Sequence, residues 1–575
     1  MLKKDVNSSL NPPVMLKVVL SCFLLALCEN GLSAQSCGGG TGTELLHRFD
    51  GPLSRSKLGW SVAGVGDLNG DGSDDVIAGA PGPATLGTAL VFSSADGTLL
   101  YQIQSPPFAI QFAEAVAGAG DVNGDGIPDF IVGTPWSSPN GITLAGSAFV
   151  YSGADGTEIW HFPGFSVGDG MGNSVAGAGD VNLDGFDDVI VGAPYADAQG
   201  GTSSTGAAFV YSGASGAILF QLDGPSTASQ MGCSVAGPGD VNGDGRPDFL
   251  VGAKHANPNG MDKAGSAFVF SGLDGSQLWQ FDGDNVWDFF ATSVSGANDL
   301  NQDGFRDVFV GAPGASGNYA HAYSGLNGSL LFRFEGFGSG AVYGSSVSSA
   351  GDVNGDGFPD LLVGAEGEWS HSGLRGAGAA YVYSGVDGSI LDRIDGEGEN
   401  FALGFSVSGA GDANGDGLAD IVVGSIFAEF GSGTQSGAAY LFSLSSPYLS
   451  VDQASLSTSA GGEVNFDIDF PVSEAGRDYA LLASFSGNGP WTTGGGCIPL
   501  TPDALTAQMW TNPPGLFLNP QGILDFGGNA NPNFSAPAGA LSAFVGVRVW
   551  FAGLSHDGAG SLHLASSAVT LDILP

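Results

Sequence analysis

The sequence predicts an all-β chain: a seven-bladed β-propeller of four-stranded blades, latched by an N-terminal strand and followed by a small C-terminal β-sandwich-like domain. Three observations lead there. An acidic nine-residue stretch recurs seven times at near-constant spacing. Each repeat carries four short strand patterns and no sustained 3.6-residue period. The last repeat stops without its fourth strand, and a matching strand stands alone before the first repeat.

The chain begins with Lys3, Lys4 and Lys17 ahead of an apolar run from Val18 to Cys28, then Gly31-Leu-Ser-Ala34. That run is too short to span a bilayer and reads as a signal peptide over 1–34, complete from Met15 onward. The expectation is a secreted or cell-surface chain with no membrane insertion after cleavage. Cys37, Cys233 and Cys497 then remain. Cys37 and Cys497 are the candidate pair, and Cys233, in a repeat strand, is expected to be buried and inert.

The propeller is expected over 35–446. One repeat shows its parts: Ala115-Val-Ala-Gly-Ala-Gly120 is a small, apolar inner strand, and Asp129-Phe-Ile-Val-Gly133 a strand covered on both faces. Ser147 to Ser152 and Thr157 to Phe162 follow, separated by an Asp155-Gly156 turn. Radial placement of such meanders makes a propeller. The lone strand Leu45-Leu-His-Arg-Phe-Asp50 supplies what the last repeat lacks after Ala438 to Phe442.

Between the first two strands of each repeat lies the acidic stretch, with oxygen-bearing side chains at positions 1, 3, 5 and 9 and glycine at 6. The first copy places Asp67, Asn69, Asp71, Ser73 and Asp75 at positions 1, 3, 5, 7 and 9. The second has Asp121, Asn123, Asp125, Ile127 and Asp129, and the third Asp180, Asn182, Asp184, Phe186 and Asp188. The fourth has Asp240, Asn242, Asp244, Arg246 and Asp248, and the fifth Asp299, Asn301, Asp303, Phe305 and Asp307. Asp352, Asn354, Asp356, Phe358 and Asp360 form the sixth; Asp412, Asn414, Asp416, Leu418 and Asp420 form the seventh. Hard oxygen donors on a sharply turned loop suit Ca²⁺, with the carbonyl of position 7 as a further ligand. Up to seven ions are expected, at affinities of about 10⁻⁴–10⁻³ M. An EF-hand would need an acid at position 12, where this chain has Ala78 or valine, so that reading fails. Leu183 and Gln302 replace the glycine of position 4 in copies three and five, which are expected to bind more weakly.

The formal charge of −43 makes nucleic acid and anionic membrane poor partners. Positions 1, 5 and 9 of the loops account for 21 of the 58 acidic residues, so the acidity is in part a metal-site signature.

Leu58-Gly59 to Val62, Asp67 to Asp75 and Gly79-Ala-Pro81 resemble the FG-GAP repeats of the integrin α-subunit N-terminal propeller, as do Met171-Gly172, Asp180 to Asp188 and Gly192-Ala-Pro194. The resemblance runs over all seven repeats, roughly 45–444. It implies a seven-bladed propeller with Ca²⁺ in hairpins on one face and ligand contacts on the opposite one. Integrins carry the metal loops in only some blades, whereas here every blade has one.

Antiparallel meanders put the longer, variable loops opposite the metal hairpins. Those loops carry Trp136, Tyr195, His255, Trp287, Phe289 and Trp369, candidate contacts for an extracellular protein or glycan. Catalysis has little support: Gly164-Phe-Ser166-Val-Gly168 lacks the helix a nucleophile elbow needs, and no zinc-binding histidine pair occurs. The reading is a calcium-binding, non-catalytic adhesion or ligand-binding protein. The alternatives are a polysaccharide- or phosphodiester-cleaving enzyme on this scaffold, or a purely structural surface component. Beyond Ser446-Pro447, Val464 to Phe470, Phe544 to Trp550 and Ser567 to Ile573 give the small sandwich expected over 447–575.

Overall fold

The computed structural model describes residues 43–82, 87–197, 204–314, 318–336, 340–429 and 435–444, and the backbone of short strands between 449 and 574. Residues Thr43–Leu444 form one compact unit. Seven four-stranded antiparallel sheets make it up, six of them consecutive in sequence from strand to strand. In blade 1 the order is Val62–Gly66, Asp75–Ala80, Thr88–Phe92 and Leu99–Gln104. Blades 2 to 6 repeat it.

Blade 7 is built from both ends of the unit. Leu403–Gly411, Asp420–Ser425 and Ala438–Leu444 supply three strands, and Thr43–Asp50 pairs antiparallel with Ala438–Leu444 as the fourth. The latch read from the sequence is therefore present. Its Phe49 is buried and stacks on Phe92 of blade 1 at 4.1 Å.

The core lies between blades rather than at the axis. Each of seven apolar clusters joins the facing sides of two neighbours, the last joining blades 7 and 1 through Phe49, Leu58, Ala410 and Leu441. Second strands are buried along their whole length, which explains their unbroken apolar runs. Near the axis, blades meet backbone to backbone. A Cβ on Gly79, Gly133, Gly192, Gly252, Gly311, Gly364 or Gly424 would collide with a backbone carbonyl of the next blade, at Ala113, Gly172, Gly232, Ala291, Gly344, Gly404 and Gly59 respectively. Small residues there are a condition of closure.

A ring of serines stitches the inner strands. Ser61, Ser174, Ser234, Ser293, Ser346 and Ser406 each accept the backbone N–H of a valine in the next blade, at 3.0–3.1 Å. Blade 2 has Ala115 at the equivalent place and no hydroxyl to offer. At the rim, an aromatic ring on six of the seven outer strands covers the turn glycine of the next blade: His47 on Gly97, Tyr101 on Gly156, Trp160 on Gly216, Phe220 on Gly275, Trp279 on Gly328 and Phe332 on Gly388. Tyr101, Trp160 and Trp279 also donate to carbonyls at 2.7–2.8 Å across the same gap.

Beyond residue 444 strands pair as well, for example Asp478–Ser484 with Arg548–His556. The sandwich expected there, a matter of how sheets face each other, lies outside the described residues, as do the signal peptide and Cys37. Cys233 is a free, half-buried thiol, less enclosed than expected, with Sγ 3.4 Å from Ala291 O.

Two outcomes test this closure. Deleting residues 43–50 removes a full strand and the buried Phe49, so the propeller's melting transition should fall by about 10 °C or more or lose cooperativity; unchanged melting would contradict the latch. Gly192→Ala should cost about 2–3 kcal/mol in chemical denaturation, because the added methyl has no room to move into.

Candidate metal centres

Every acidic stretch forms the hairpin between the first two strands of its blade. Its shape comes from the acidic side chains themselves. In blade 2, Asp121 Oδ1 accepts the N–H groups of Gly124 (2.7 Å) and Asp125 (3.1 Å), and Oδ2 accepts that of Gly126 (2.9 Å). Asn123 Oδ1 accepts Asp125 N–H and Asp125 Oδ1 accepts Ile127 N–H, both at 2.9 Å. The bonds from positions 5 and 6 recur in every loop, and the position-4 bond recurs at Asp67, Asp240 and Asp352 but, among the described residues, not at Asp180, Asp299 or Asp412. Position 4 is left-handed throughout. Leu183 (φ 60°) and Gln302 (φ 55°) adopt it without being glycine, at a local cost of about 1 kcal/mol. Copies three and five thus keep the shape of the others.

The ninth residue is different in kind. Asp75, Asp129, Asp188, Asp248, Asp307, Asp360 and Asp420 are each fully buried. One oxygen accepts the N–H of position 2 at 2.8–3.0 Å. In blades 1 to 6 the other accepts an N–H from the turn after the third strand, as Asp129 does from Gly153 at 2.9 Å. In blade 7 the third strand runs on to pair with the latch, and Asp420 Oδ1 is buried without a hydrogen-bond partner among the described residues.

Burial pushes these carboxyls up: to about 6 at Asp75, Asp129, Asp188, Asp248 and Asp307, and to about 7 at Asp360 and Asp420. Backbone N–H groups pull the other way, and the carboxylates at positions 5 and 1 add to the rise. A charge this costly calls for a counter-charge beside it.

The loops also interlock around the ring. Asp187 N–H donates to Asp121 O (3.1 Å), while Asp187 Oδ2 accepts Asp121 N–H (2.8 Å). Asp74 and Asp412 form the same double link across the blade 1–7 closure, both bonds at 3.0 Å. Arg306 and Ala419 donate to Asp240 and Asp352. The remaining position-8 residues are prolines without an N–H; Pro128 and Pro247 pack against Gly66 and Gly179 instead.

Among the described residues no three acid, histidine or cysteine side chains close into a ready-made cage. Part of the donor set lies outside that chemistry, in the Asn amide and a backbone carbonyl. Two carboxylates that are half-buried or exposed, one buried carboxylate with raised proton affinity and an amide oxygen in each hairpin fit a hard divalent cation. The residues that would hold it are those at positions 1, 3, 5 and 9, with the carbonyl of position 7.

The opposite ends of the strands carry the variable loops. Trp136 and Tyr195 meet there across blades 2 and 3 at 6.3 Å, and Trp136 Nε1 donates to Glu114 at 3.1 Å. Phe289 lies 5.6 Å from His255 and 5.9 Å from Trp287, between blades 4 and 5. Burial pushes His255 down to about 4, helped by Lys263 and Lys254, so it is neutral at pH 7. Trp369 stands apart on blade 6 and is 55% exposed. Reading single residues missed their basic neighbours, Lys263 over Trp287 and Arg375 over Trp369, and a further cluster of Lys57, Trp60, Phe405 and Phe427. The Ser166 segment is a turn whose N–H groups are capped by Asp169, and no helix follows it.

A closed ring of seven four-stranded blades, each with an acidic hairpin at one end, defines a repeat propeller. The FG-GAP repeat family model matches residues 58–92, 112–151, 171–211, 234–270, 290–325 and 343–383. The seventh copy lies outside those matches and shows itself by its strands and its loop. Integrin alpha-V of Gallus gallus is 34% identical over 213 residues, covering 34% of this chain and 20% of the relative. Integrin alpha pat-2 of Caenorhabditis briggsae is 33% identical over 227 residues, and integrin alpha-5 of Xenopus laevis 30% over 220. A solved structure titled "Structure of Dos1 propeller" aligns with 71% of this chain and 97% of its own, at 10% identity and a TM-score of 0.40. Six FG-GAP repeats and the similarity to integrin α-subunits support an integrin-alpha-like FG-GAP propeller. The chain spans about a fifth of the length of those integrin relatives.

The buried aspartates set a pH test. Their folded values lie above the ordinary 3.8, so between about pH 4 and 6 the folded, metal-free chain holds protons that the unfolded chain has released. Its stability therefore falls as pH rises through that window. A cation binding the ionised form reverses the sign. The melting temperature in chelator should be higher at pH 5 than at pH 7.5, and the gain on adding millimolar Ca²⁺ should shrink as pH falls. A Ca²⁺ effect of the same size at both pH values, or none, would contradict the role given to these residues.

Proposed function

We propose that this is a secreted, calcium-stabilised, non-catalytic propeller that binds an extracellular protein or glycan through its variable-loop face. One observation carries the reading: the two ends of the blades differ in chemistry. One end repeats the same acidic hairpin seven times, with its side-chain oxygens committed to shaping the loop. The other end differs from blade to blade and exposes large rings, with Tyr195, Trp287 and Trp369 at 36%, 42% and 55%. Repetition suits a clamp, and variation on a rigid scaffold suits recognition. Trp136, Tyr195, His255, Trp287, Phe289 and Trp369 are the proposed contacts.

The integrin relatives favour extracellular recognition over structure alone. Among the described residues no helix is long and apolar enough to cross a membrane. The Ca²⁺ ions, up to seven, hold the blades and take no part in contacting the ligand in this reading.

A screen of the full chain against glycans and extracellular proteins, in Ca²⁺ and in chelator, tests it. A bound ligand lost on Trp136→Ala or Trp369→Ala supports recognition at this face. Turnover of a polysaccharide or phosphodiester would overturn the non-catalytic assignment, and no ligand in any condition would leave a structural component.

A further inference from the structure

Two exposed tryptophans on the variable-loop face each carry a stacked basic side chain. Lys263 Nζ lies 4.5 Å from the Trp287 ring centroid, between blades 4 and 5. The Arg375 guanidinium lies 5.0 Å from the Trp369 ring on blade 6. Such stacks hold a cation over one face of the ring without neutralising it, so a ligand that stacks on the indole takes the other face. Arg375 makes no ion pair among the described residues, whereas Arg48, Arg333 and Arg393 do. In a chain with 15 basic and 58 acidic residues, the recurrence of this pairing stands out, with Lys57 over the half-buried Trp60 a third case.

Neither tryptophan is demanded by the fold. Trp287 sits at a left-handed backbone position (φ 64°) that recurs in the loop entering other blades, where the residues are Arg55, Gly168, Ala228, Gly340 and Asn400. A bulky ring is disfavoured in that conformation, so its presence there runs against local preference. Trp369 is more than half exposed and seals no core.

Both platforms are also fixed in place. Trp287 N–H donates to Asp262 O (2.9 Å) and Phe289 N–H to Lys263 O (3.2 Å), tying the two loops of that blade together. On blade 6, Asp395 binds Arg393 Nε (2.9 Å), His371 N–H (2.9 Å) and His371 Nδ1 (2.9 Å), while Arg393 Nη2 holds Trp369 O (2.7 Å). His371 Nδ1 is thereby occupied, with 39% of the side chain exposed.

We propose that this face binds an acidic polysaccharide, with pyranose rings lying on Trp287 and Trp369 and the sugar carboxylates paired to Lys263 and Arg375. A flat indole takes the C–H face of a sugar, and an adjacent lysine or arginine takes its carboxylate. A polymer in which uronic acids alternate with neutral sugars carries its charges sparsely, which suits single cations set apart on an otherwise acidic surface. Nucleic acid presents a charge every 1.7 Å or so and would meet repulsion between them. The proposal rests on the recognition role assigned to this face above and narrows its ligand.

The test uses the full chain in Ca²⁺ and two matched probes. One is a hexasaccharide of alternating glucuronate and N-acetylglucosamine; the other is the same oligomer with its carboxyls reduced to alcohols. Binding is followed by calorimetry and tryptophan fluorescence. The acidic probe should bind about tenfold more tightly than the reduced one. The Lys263→Ala/Arg375→Ala variant should lose that preference, and Trp287→Ala/Trp369→Ala should lose binding of both, with melting temperatures unchanged. Equal affinity for the two probes, no binding of either, or full binding by the tryptophan variant overturns the proposal. A protein or neutral-glycan ligand found at the same face would overturn it too while leaving the broader recognition role standing.

Discussion

Each blade depends on one buried aspartate. The ninth residue of the acidic stretch begins the second strand, accepts the N–H that starts the hairpin and, in six blades, also grips the turn at the end of the third strand. Three strands are thereby tied at one end through a single carboxylate. That side chain accepts these bonds best when ionised, yet it is fully buried and faces the carboxylates of its own loop. The geometry asks for a charge that the surroundings resist. A divalent cation in the hairpin would resolve the conflict, and that would give a physical reason for four oxygen-bearing side chains per blade in a chain otherwise poor in charge.

The constraint spreads because no blade has a core of its own. Each apolar cluster belongs to two neighbours, and the inner glycines leave no space by which one blade could shift independently of the next. Four of the seven pairs of adjoining hairpins are bonded directly, including the pair across the closure between Asp74 and Asp412. Stiffening one hairpin therefore acts on the ring, and the face at the far ends of the strands inherits that rigidity. Variable loops can carry large exposed rings there without the scaffold giving way.

Much of this was legible in the sequence. The seven-fold period gave the blade count, and the missing last strand gave the latch, because both are spacing signals that survive without knowing any contact. The serine stitches, the aromatic rings over turn glycines and the links from position 8 to position 1 were not read. They join residues in neighbouring blades, mostly 45–70 positions apart, and surface only when repeats are compared column by column. Ser61, Ser174 and Ser234 look like ordinary strand residues one at a time. The candidate ligand residues were found singly as exposed aromatics, but the cations beside them were not, since Lys263 and Trp287 come from different loops. Leu183 and Gln302 stand out in the motif, and their loops keep the left-handed turn and the bonds from positions 5 and 6 to position 1 but, among the described residues, not the bond from position 4.

The most direct test of the calcium account is a stoichiometry. Metal-depleted full chain titrated with Ca²⁺ by calorimetry at pH 7.5 should bind close to seven ions, with the hairpins at Asp180 and Asp299 among the weaker ones. Neutralising one ninth-position residue, as in Asp129→Asn, should remove one ion from the total. Binding of one or two ions, or a stoichiometry unchanged by that substitution, would contradict it.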